Sequence, residues 1–117
     1  MCQMINDEFL ISVVCVEDFT LSKNHCEVIV TCVEDDLDVN YALGFKDILY
    51  AKFRQEDPND EFDVIDTTFQ KLEEAENLAF MQSPKRKDYW VMEFESGLHH
   101  LVICFKEVKI TKIDTKV

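Results

Sequence analysis

Three histidines and five cysteines are the residues of this chain that most readily bind metals or act as nucleophiles. His99 and His100 are adjacent in a predicted β-strand, so their side chains face opposite sides and cannot jointly bind one metal. His25 stands alone near the start of another predicted strand. A catalytic pair such as Cys104 with His99 or His100 would need an orienting third group and an exposed thiol of low pKa. The spacing supports neither.

The cysteines are predicted to be free thiols that pack as small apolar side chains. Four of them lie in apolar, strand-like stretches, and no Cys-x-x-Cys pair exists. Cys26 and Cys32 are six residues apart on one predicted strand, which separates them by about 20 Å at roughly 3.3 Å per residue. That separation excludes a shared metal or a disulfide. The five cysteines are Cys2, Cys15, Cys26, Cys32 and Cys104.

Motifs for calcium, phosphate or hydrolytic chemistry are also missing from the sequence. The acidic stretch that begins at Asp57 resembles a calcium loop only superficially. Phe62 stands where an EF-hand needs glycine, and Thr68 stands where it needs glutamate. The chain has two glycines, too few for a glycine-rich phosphate loop, and it has no HExxH motif or nucleophile elbow. We therefore predict a binding protein rather than an enzyme, with no catalytic residue, metal or cofactor.

Clustered carboxylates and aromatic side chains are the remaining candidates for a functional site. Two acidic clusters, or either one alone, are also compatible with solvated turns, and the aromatic residues, which include Tyr41 and Tyr50, are also compatible with core packing. The first cluster is Glu34-Asp35-Asp36 with Asp38, and the second is Glu56, Asp57, Asp60, Glu61, Asp63 and Asp66. A partner-binding surface usually combines charge with an aromatic anchor. The predicted partner-binding residues are Glu34, Asp35, Asp36, Asp38, Glu56, Asp57, Asp60, Glu61, Asp63, Tyr89 and Trp90.

The balance of charge indicates which partner such a surface would bind. The chain has 24 acidic and 12 basic residues, which gives a formal net charge of -12. Nucleic-acid binding needs a basic face, so this charge argues against DNA or RNA as a direct partner. A basic protein is favoured, because complementary fields steer the encounter of two proteins. The alternative is that the charge serves only solubility.

The first residues predict neither a targeting segment nor a membrane span. Residues 1–8 lack a basic region, and the apolar stretch 9–16 is too short to cross a bilayer and is followed by Glu17 and Asp18. We therefore expect a soluble, cytoplasmic protein that does not bind membranes.

The 117 residues fit one domain, 1–117, and predict an α+β fold that is mainly antiparallel sheet with one principal helix. About seven strands are expected, at 9–16, 26–33, 37–43, 48–53, 89–95, 98–105 and 108–113. Residues 18–24 are expected to form a turn, and residues 114–117 a frayed tail. The helix is expected to begin near Asp66 or Thr67 and to end before Pro84. Its apolar positions are Phe69, Leu72, Ala75, Leu78 and Ala79.

Residues 43–53 and 103–113 align without gaps at an offset of 60 residues. A Phe-Lys pair and a later lysine match identically, and neighbouring acidic and β-branched positions match in kind. The alignment predicts two related three-strand units, 26–53 and 88–113, with the helix between them. The alternative is that two β-meanders have converged on similar hydrophobic patterns. Two units are too few for a solenoid.

A small acidic domain without a catalytic set resembles the immunity proteins of bacterial toxin systems, including contact-dependent growth inhibition. The resemblance is carried by Phe94-Glu95-Ser96-Gly97 and Phe105-Lys106-Glu107-Val108 and covers about the C-terminal third. It implies tight, stoichiometric binding to a cognate toxin, often a basic nuclease, whose active site is blocked. The order of elements is similar to Whirly-type folds, but the Lys-Gly-Asn-Lys motif of Whirly nucleic-acid binders is absent. No functional residue carries over, because immunity interfaces diverge with their toxins.

Two other classes of function stay open. One is a small-molecule-binding or enzymatic β-domain, which a closed, aromatic-lined pocket with convergent polar groups would favour. The other is a subunit of a larger assembly, which an exposed sheet edge or apolar patch would favour.

Overall fold

Strand-forming sequence dominates residues 5–113, the part of the chain that the computed structural model describes. One short helix, α1 (Asp7–Ser12), precedes the strands, and three 3-10 turns interrupt them at Leu72–Glu74, Glu76–Met81 and Pro84–Arg86. The nine described strands are β1 (Val13–Leu21), β2 (His25–Glu34), β3 (Leu37–Lys46), β4 (Tyr50–Gln55), β5 (Phe62–Asp63), β6 (Asp66–Lys71), β7 (Trp90–Glu95), β8 (His99–Phe105) and β9 (Glu107–Ile113).

The strands form two antiparallel sheets that pack around one main core. The first sheet has the order β5-β1-β2-β3-β9, and the second has the order β4-β8-β7-β6. Alternate residues of each sheet are buried between them, such as Val28 and Leu43 from the first and Phe94 and Ile103 from the second. This alternation is the period-2 signal of a half-buried strand. The predicted mainly antiparallel fold is confirmed.

The two sheets meet at a corner where the chain passes from β3 to β4 and from β8 to β9. β3 pairs with β9 from Asn40 to Lys46, and β4, the continuation of β3, pairs with β8. At the corner the backbone N–H of Lys106 donates to the carbonyl of Lys46 at 3.2 Å. The rings of Phe45 and Phe105 meet edge to face at the same corner, with centroids 4.7 Å apart. The corner therefore ties both sheets to the main core.

The corner also relates the two units that the sequence alignment predicts. In 26–53, a hairpin (β2 and β3) is followed by β4, and in 88–113 a hairpin (β7 and β8) is followed by β9. The last strand of each unit pairs with the middle strand of the other unit: β4 pairs with β8, and β9 pairs with β3. The equivalent residues Lys46 and Lys106 meet at the corner through the hydrogen bond from the Lys106 N–H to the Lys46 carbonyl. The duplication itself stays a prediction.

The principal helix predicted after Asp66 is wrong. Residues 66–71 form β6, and the following segment is a series of 3-10 turns. The buried residues Leu72 and Leu78 belong to two separate 3-10 turns, and the buried Ala75 between those turns has an extended backbone. They cover the outer face of the second sheet and pack against Val91, Val102 and Cys104.

The N-terminal strand predicted at 9–16 is also partly wrong. Asn6 caps α1, since its Oδ1 accepts from the backbone N–H of Phe9 at 2.8 Å, and the acidic residues Asp7 and Glu8 occupy the first turn. Both features stabilise a helix start. β1 begins at Val13 and runs through most of the predicted turn 18–24.

The other predicted strands are confirmed with small shifts at their ends, and β5 and β6 are additions. The predicted tail 114–117 and Cys2 lie outside the described residues. None of the helices within residues 5–113 has the length and apolar character that crossing a bilayer requires.

Candidate functional site

A cleft of about 350 Å³ lies where β1 approaches β4 and the loop that joins β4 to β5. β1 pairs with β5 only at Cys15 and Val16, and within the described residues β4 pairs only with β8. Both strands therefore present backbone without a ladder partner beside the cleft. Exposed carboxylates surround the cleft, and aromatic rings lie beneath them.

The aromatic rings form an apolar floor that spans the two sheets. Phe19 of β1 and Phe53 of β4 meet edge to face, with ring centroids 4.8 Å apart. Phe62 stacks on the imidazole of His99 at 5.1 Å, and Phe53 lies 6.3 Å from the same imidazole. Phe53 is 37% exposed, whereas Phe62 is buried. Phe53 is thus the aromatic face that a ligand can reach.

His99 is the polar residue of this floor. The turn before β8 positions it, because the His99 backbone N–H donates to Ser96 Oγ at 2.9 Å and its carbonyl accepts from the Ser96 N–H at 2.9 Å. The side chain is only 2% exposed, and its Nδ1 has no hydrogen-bond partner among the described residues. Buried polar atoms are normally paired, so His99 is the residue of this floor with unused hydrogen-bonding capacity.

Four exposed carboxylates form the rim of the cleft: Glu17, Asp18, Asp60 and Glu61. Glu17 is the extra residue of a β-bulge, since its neighbours Val16 and Asp18 pair with consecutive residues of β2. A bulge re-aims a side chain, which explains how an acid on β1 joins those of the loop. No Lys or Arg within residues 5–113 lines the cleft, so no lining residue of this kind neutralises the four carboxylates of the rim.

Glu17 is held in place by Thr31 of β2, whose hydroxyl lies 2.8 Å from Glu17 Oε2. The same hydroxyl lies 2.9 Å from Asn40 Oδ1. On the other side of the bulge, Asp18 Oδ1 accepts from the backbone N–H of Phe19 at 2.9 Å. Both rim carboxylates of β1 are therefore partly ordered before any partner binds.

The thiol of Cys15 in the cleft and those of Cys26 and Cys104 elsewhere in the fold are poor nucleophiles. Burial, a hydrogen bond with Glu17 and nearby acidic charge raise the pKa of Cys15 to about 12. Burial raises the pKa of Cys26 to about 11 and, despite the opposing charge of Arg86, that of Cys104 to about 11. These thiols are protonated at neutral pH, whereas nucleophilic catalysis requires a thiolate.

The structure brings part of the second predicted acidic cluster to the cleft. Asp60 and Glu61 line it directly. Asp63 is two residues beyond Glu61 and lies opposite Cys15 in the short pairing of β1 with β5. These three predicted residues therefore lie in or beside one acidic site.

The remaining members of that cluster have local partners instead. Glu56 forms an ion pair with Arg54 at 3.0 Å, between two well-exposed side chains. Asp57 Oδ1 accepts from the backbone N–H of Asn59 at 2.9 Å and thereby shapes the loop. Neither Glu56 nor Asp57 lines the cleft.

The first predicted acidic cluster forms the tight turn between β2 and β3, away from the cleft. Asp35 and Asp36 have φ angles of 51° and 65°, which suit a two-residue hairpin turn with both residues in the left-handed region. Glu34 Oε2 accepts from the Tyr41 hydroxyl at 2.5 Å, and this bond raises the pKa of Tyr41 to about 12. Asp38 is exposed on β3.

Tyr89 and Trp90 lie at the other end of the second sheet from the cleft. Trp90 pairs with Phe105, six residues along β8 from His99, which is about 20 Å at roughly 3.3 Å per residue. Its ring stacks on Phe69 with centroids 4.9 Å apart. Tyr89 is half-buried and packs beside the cluster under the 3-10 turns. The predicted aromatic anchors therefore do not share a surface with the acidic rim.

A separate group on the outer face of the second sheet has donor atoms in reach of one metal ion. One ligand atom from each of Glu93, Glu95 and His100 lies within 4.8 Å of the others. His100 Nε2 is 3.0 Å from Glu93 Oε2, and Glu93 Oε1 accepts from Asn77 Nδ2 at 2.7 Å. Sequence analysis did not find this group, because it depends on the pairing of β7 with β8.

Five residues of the cleft are not predicted from the sequence, namely Glu17, Asp18, Phe19, Phe53 and Phe62, and His99 is considered there only as a metal ligand or as half of a catalytic pair. A signal was present in the acidic pair Glu17-Asp18, which interrupts an apolar strand directly before Phe19. Comparison with known proteins adds nothing to this signal, since no family model, curated protein or solved structure matches the chain.

Proposed function

We propose that the protein binds a basic protein partner through the cleft between β1 and β4. The observation that carries this proposal is the convergence of four carboxylates above an aromatic floor, with no described Lys or Arg among the lining residues. Charge at such a rim steers a basic partner, and an aromatic residue at its centre supplies an anchor. The net charge of -12 adds a long-range attraction of the same sign.

In its specific form, the proposal is that the protein is a cytoplasmic immunity protein whose partner is a toxin, most simply a basic nuclease of a bacterial toxin system. A nuclease active site binds phosphates through basic side chains, and the rim carboxylates would occupy those side chains in place of phosphate. Support comes from the charge, from the protonated thiols and from the resemblance of 94–97 and 105–108 to immunity proteins.

A small cationic molecule is the second candidate occupant. The cleft volume of about 350 Å³ lies at the low end of the roughly 300–1,000 Å³ that small-molecule sites occupy. His99 and the rim acids also supply convergent polar groups. The breadth of the acidic surface, which extends beyond the cleft to Asp63, favours the protein partner.

The proposal is tested by mixing the purified protein with each basic protein encoded next to its gene and measuring binding by calorimetry. We expect one of them to bind with one-to-one stoichiometry and at least micromolar affinity. Because exposed charges are screened by salt, we expect binding to weaken on the order of tenfold from low to high ionic strength. A bound nuclease is also expected to lose activity.

Lysozyme, an unrelated basic protein, serves as the control for non-specific association through charge. If no neighbouring basic protein binds at micromolar concentration, the toxin form of the proposal is wrong. Binding that does not change with salt would contradict the role of the acidic rim.

A further inference from the structure

Three features of the cleft lining define which ligand would fit it: an unpaired nitrogen, exposed carboxylates and a partly exposed aromatic ring. His99 Nδ1 is buried and has no hydrogen-bond partner among the described residues. The carboxylates of Glu17 and Glu61 are exposed at the rim without a neighbouring cation in the cleft lining. The ring of Phe53 is 37% exposed although it packs against other rings. A matching ligand must therefore donate hydrogen bonds, carry positive charge and pack on an aromatic face.

His99 gives the most specific of these requirements. A neutral imidazole has one acceptor nitrogen and one donor nitrogen. The phenyl rings of Phe53 and Phe62 that pack on the imidazole offer Nδ1 neither a donor nor an acceptor, so in the tautomer whose acceptor is Nδ1 a donor on the ligand would pair with it. A carboxylate or phosphate ligand would instead be repelled by the rim acids, so the ligand is a cation rather than an anion.

Arginine and lysine side chains differ in how well they match these three features of the cleft. The guanidinium group is planar, has five N–H donors in a fixed fork and stacks on aromatic faces. It can lie on Phe53 while it donates to His99 and to a rim carboxylate at the same time. The ammonium group of lysine is a compact point charge with strong hydration, so it gains less from an aromatic floor.

We propose that the cleft is a pocket for one arginine side chain of the basic partner. The guanidinium stacks on Phe53, donates to His99 Nδ1 at the floor and pairs with Glu17 or Glu61 at the rim. A volume of about 350 Å³ suits one long side chain rather than a helix or a strand. This inference rests on the proposed function and adds which residue of the partner enters the cleft.

The test uses two blocked tripeptides, Gly-Arg-Gly and Gly-Lys-Gly, titrated into the full-length ¹⁵N-labelled protein and followed by NMR. Both peptides carry the same charge, so a preference reports the pocket and not the net field. We expect the arginine peptide to bind about five- to tenfold more tightly than the lysine peptide. It should also shift the imidazole ¹⁵N signals of His99, which a merely structural histidine would not show.

Variants F53L and F80L provide a matched pair, because both replace a phenyl ring by leucine and Phe80 lies outside the cleft with 73% exposure. F53L is expected to reduce arginine binding to the lysine level, and F80L to leave it unchanged. The comparison of peptides on the unmodified protein stays decisive even if F53L is unstable.

Equal binding of the two peptides at the cleft would overturn the arginine pocket while leaving a basic partner in place. Shifts confined to the β2–β3 turn, or no shifts at all, would also overturn it, and the calorimetry with neighbouring proteins then decides the proposed function separately. Ethylguanidinium provides a third arm, since a lone guanidinium is expected to bind only in the millimolar range. Micromolar binding of ethylguanidinium would assign the cleft to a small molecule instead.

Discussion

Replacing Phe105 by alanine is expected to lower the free energy of unfolding by about 3–5 kcal/mol, the cost of removing a large buried ring. Phe105 is fully buried at the corner where the two sheets join. Its ring lies 4.7 Å from Phe45 and 6.2 Å from Phe69, so the cavity would border both sheets. Small domains are stable by only about 5–15 kcal/mol, so this loss is a large fraction of the total.

Urea unfolding followed by the fluorescence of Trp90 measures this effect, since that indole is half-buried and stacked on Phe69. The matched control is Phe80→Ala, which removes an equal ring from a 73% exposed position. We expect the control to change stability by no more than about 0.5–1 kcal/mol. Equal losses in the two variants would show that the corner is not the centre of the core.

Reversing charge at two positions of the rim, Glu17→Lys with Glu61→Lys, is expected to weaken binding of the basic partner by about 100- to 1,000-fold. Close charge pairs across protein interfaces are coupled by roughly 1.5–7 kcal/mol, and about 1.4 kcal/mol corresponds to tenfold in Kd. The two residues come from β1 and from the loop before β5, so the variant changes both walls of the cleft. Titration calorimetry with the partner measures the loss.

The matched control reverses two exposed acids of the 3-10 turns, Glu73→Lys with Glu76→Lys, which lie outside the cleft. Both variants change the net charge by the same amount, so long-range attraction is lowered equally. We expect the control to weaken binding by less than about tenfold, through a slower encounter. If both variants lose the same affinity, the partner senses only the overall charge and the cleft is not the site.

Much of the sheet could be predicted because apolar and polar residues alternate along its strands. β2 alternates buried Cys26, Val28 and Val30 with more exposed residues, and the Asp35-Asp36 pair marks the turn that follows. Apolar residues at i and i+3 are common to α-helices and 3-10 turns, so the spacing after Asp66 predicts an α-helix. That spacing does not reveal the extended backbone at Ala75, which separates the first two 3-10 turns.

The candidate site was predictable only where its residues are close in the sequence. Asp60 and Glu61 were found because they belong to an acidic loop. Glu17 joins them through a β-bulge, and His99 does so through the approach of β8 and β5, neither of which a single strand pattern reveals. Tyr89 and Trp90 were chosen for their residue type, and the pairing of β7 with β8 places them far from the acids.

Hydrogen–deuterium exchange of the protein with and without its basic partner locates the surface that the partner covers. We expect binding to slow exchange in three segments that surround the cleft, 17–19, 53–55 and 60–62, and to leave the turn at 34–38 unchanged. Protection confined to that turn, or to the 3-10 segment 72–86, would show that the partner binds elsewhere and would contradict the account.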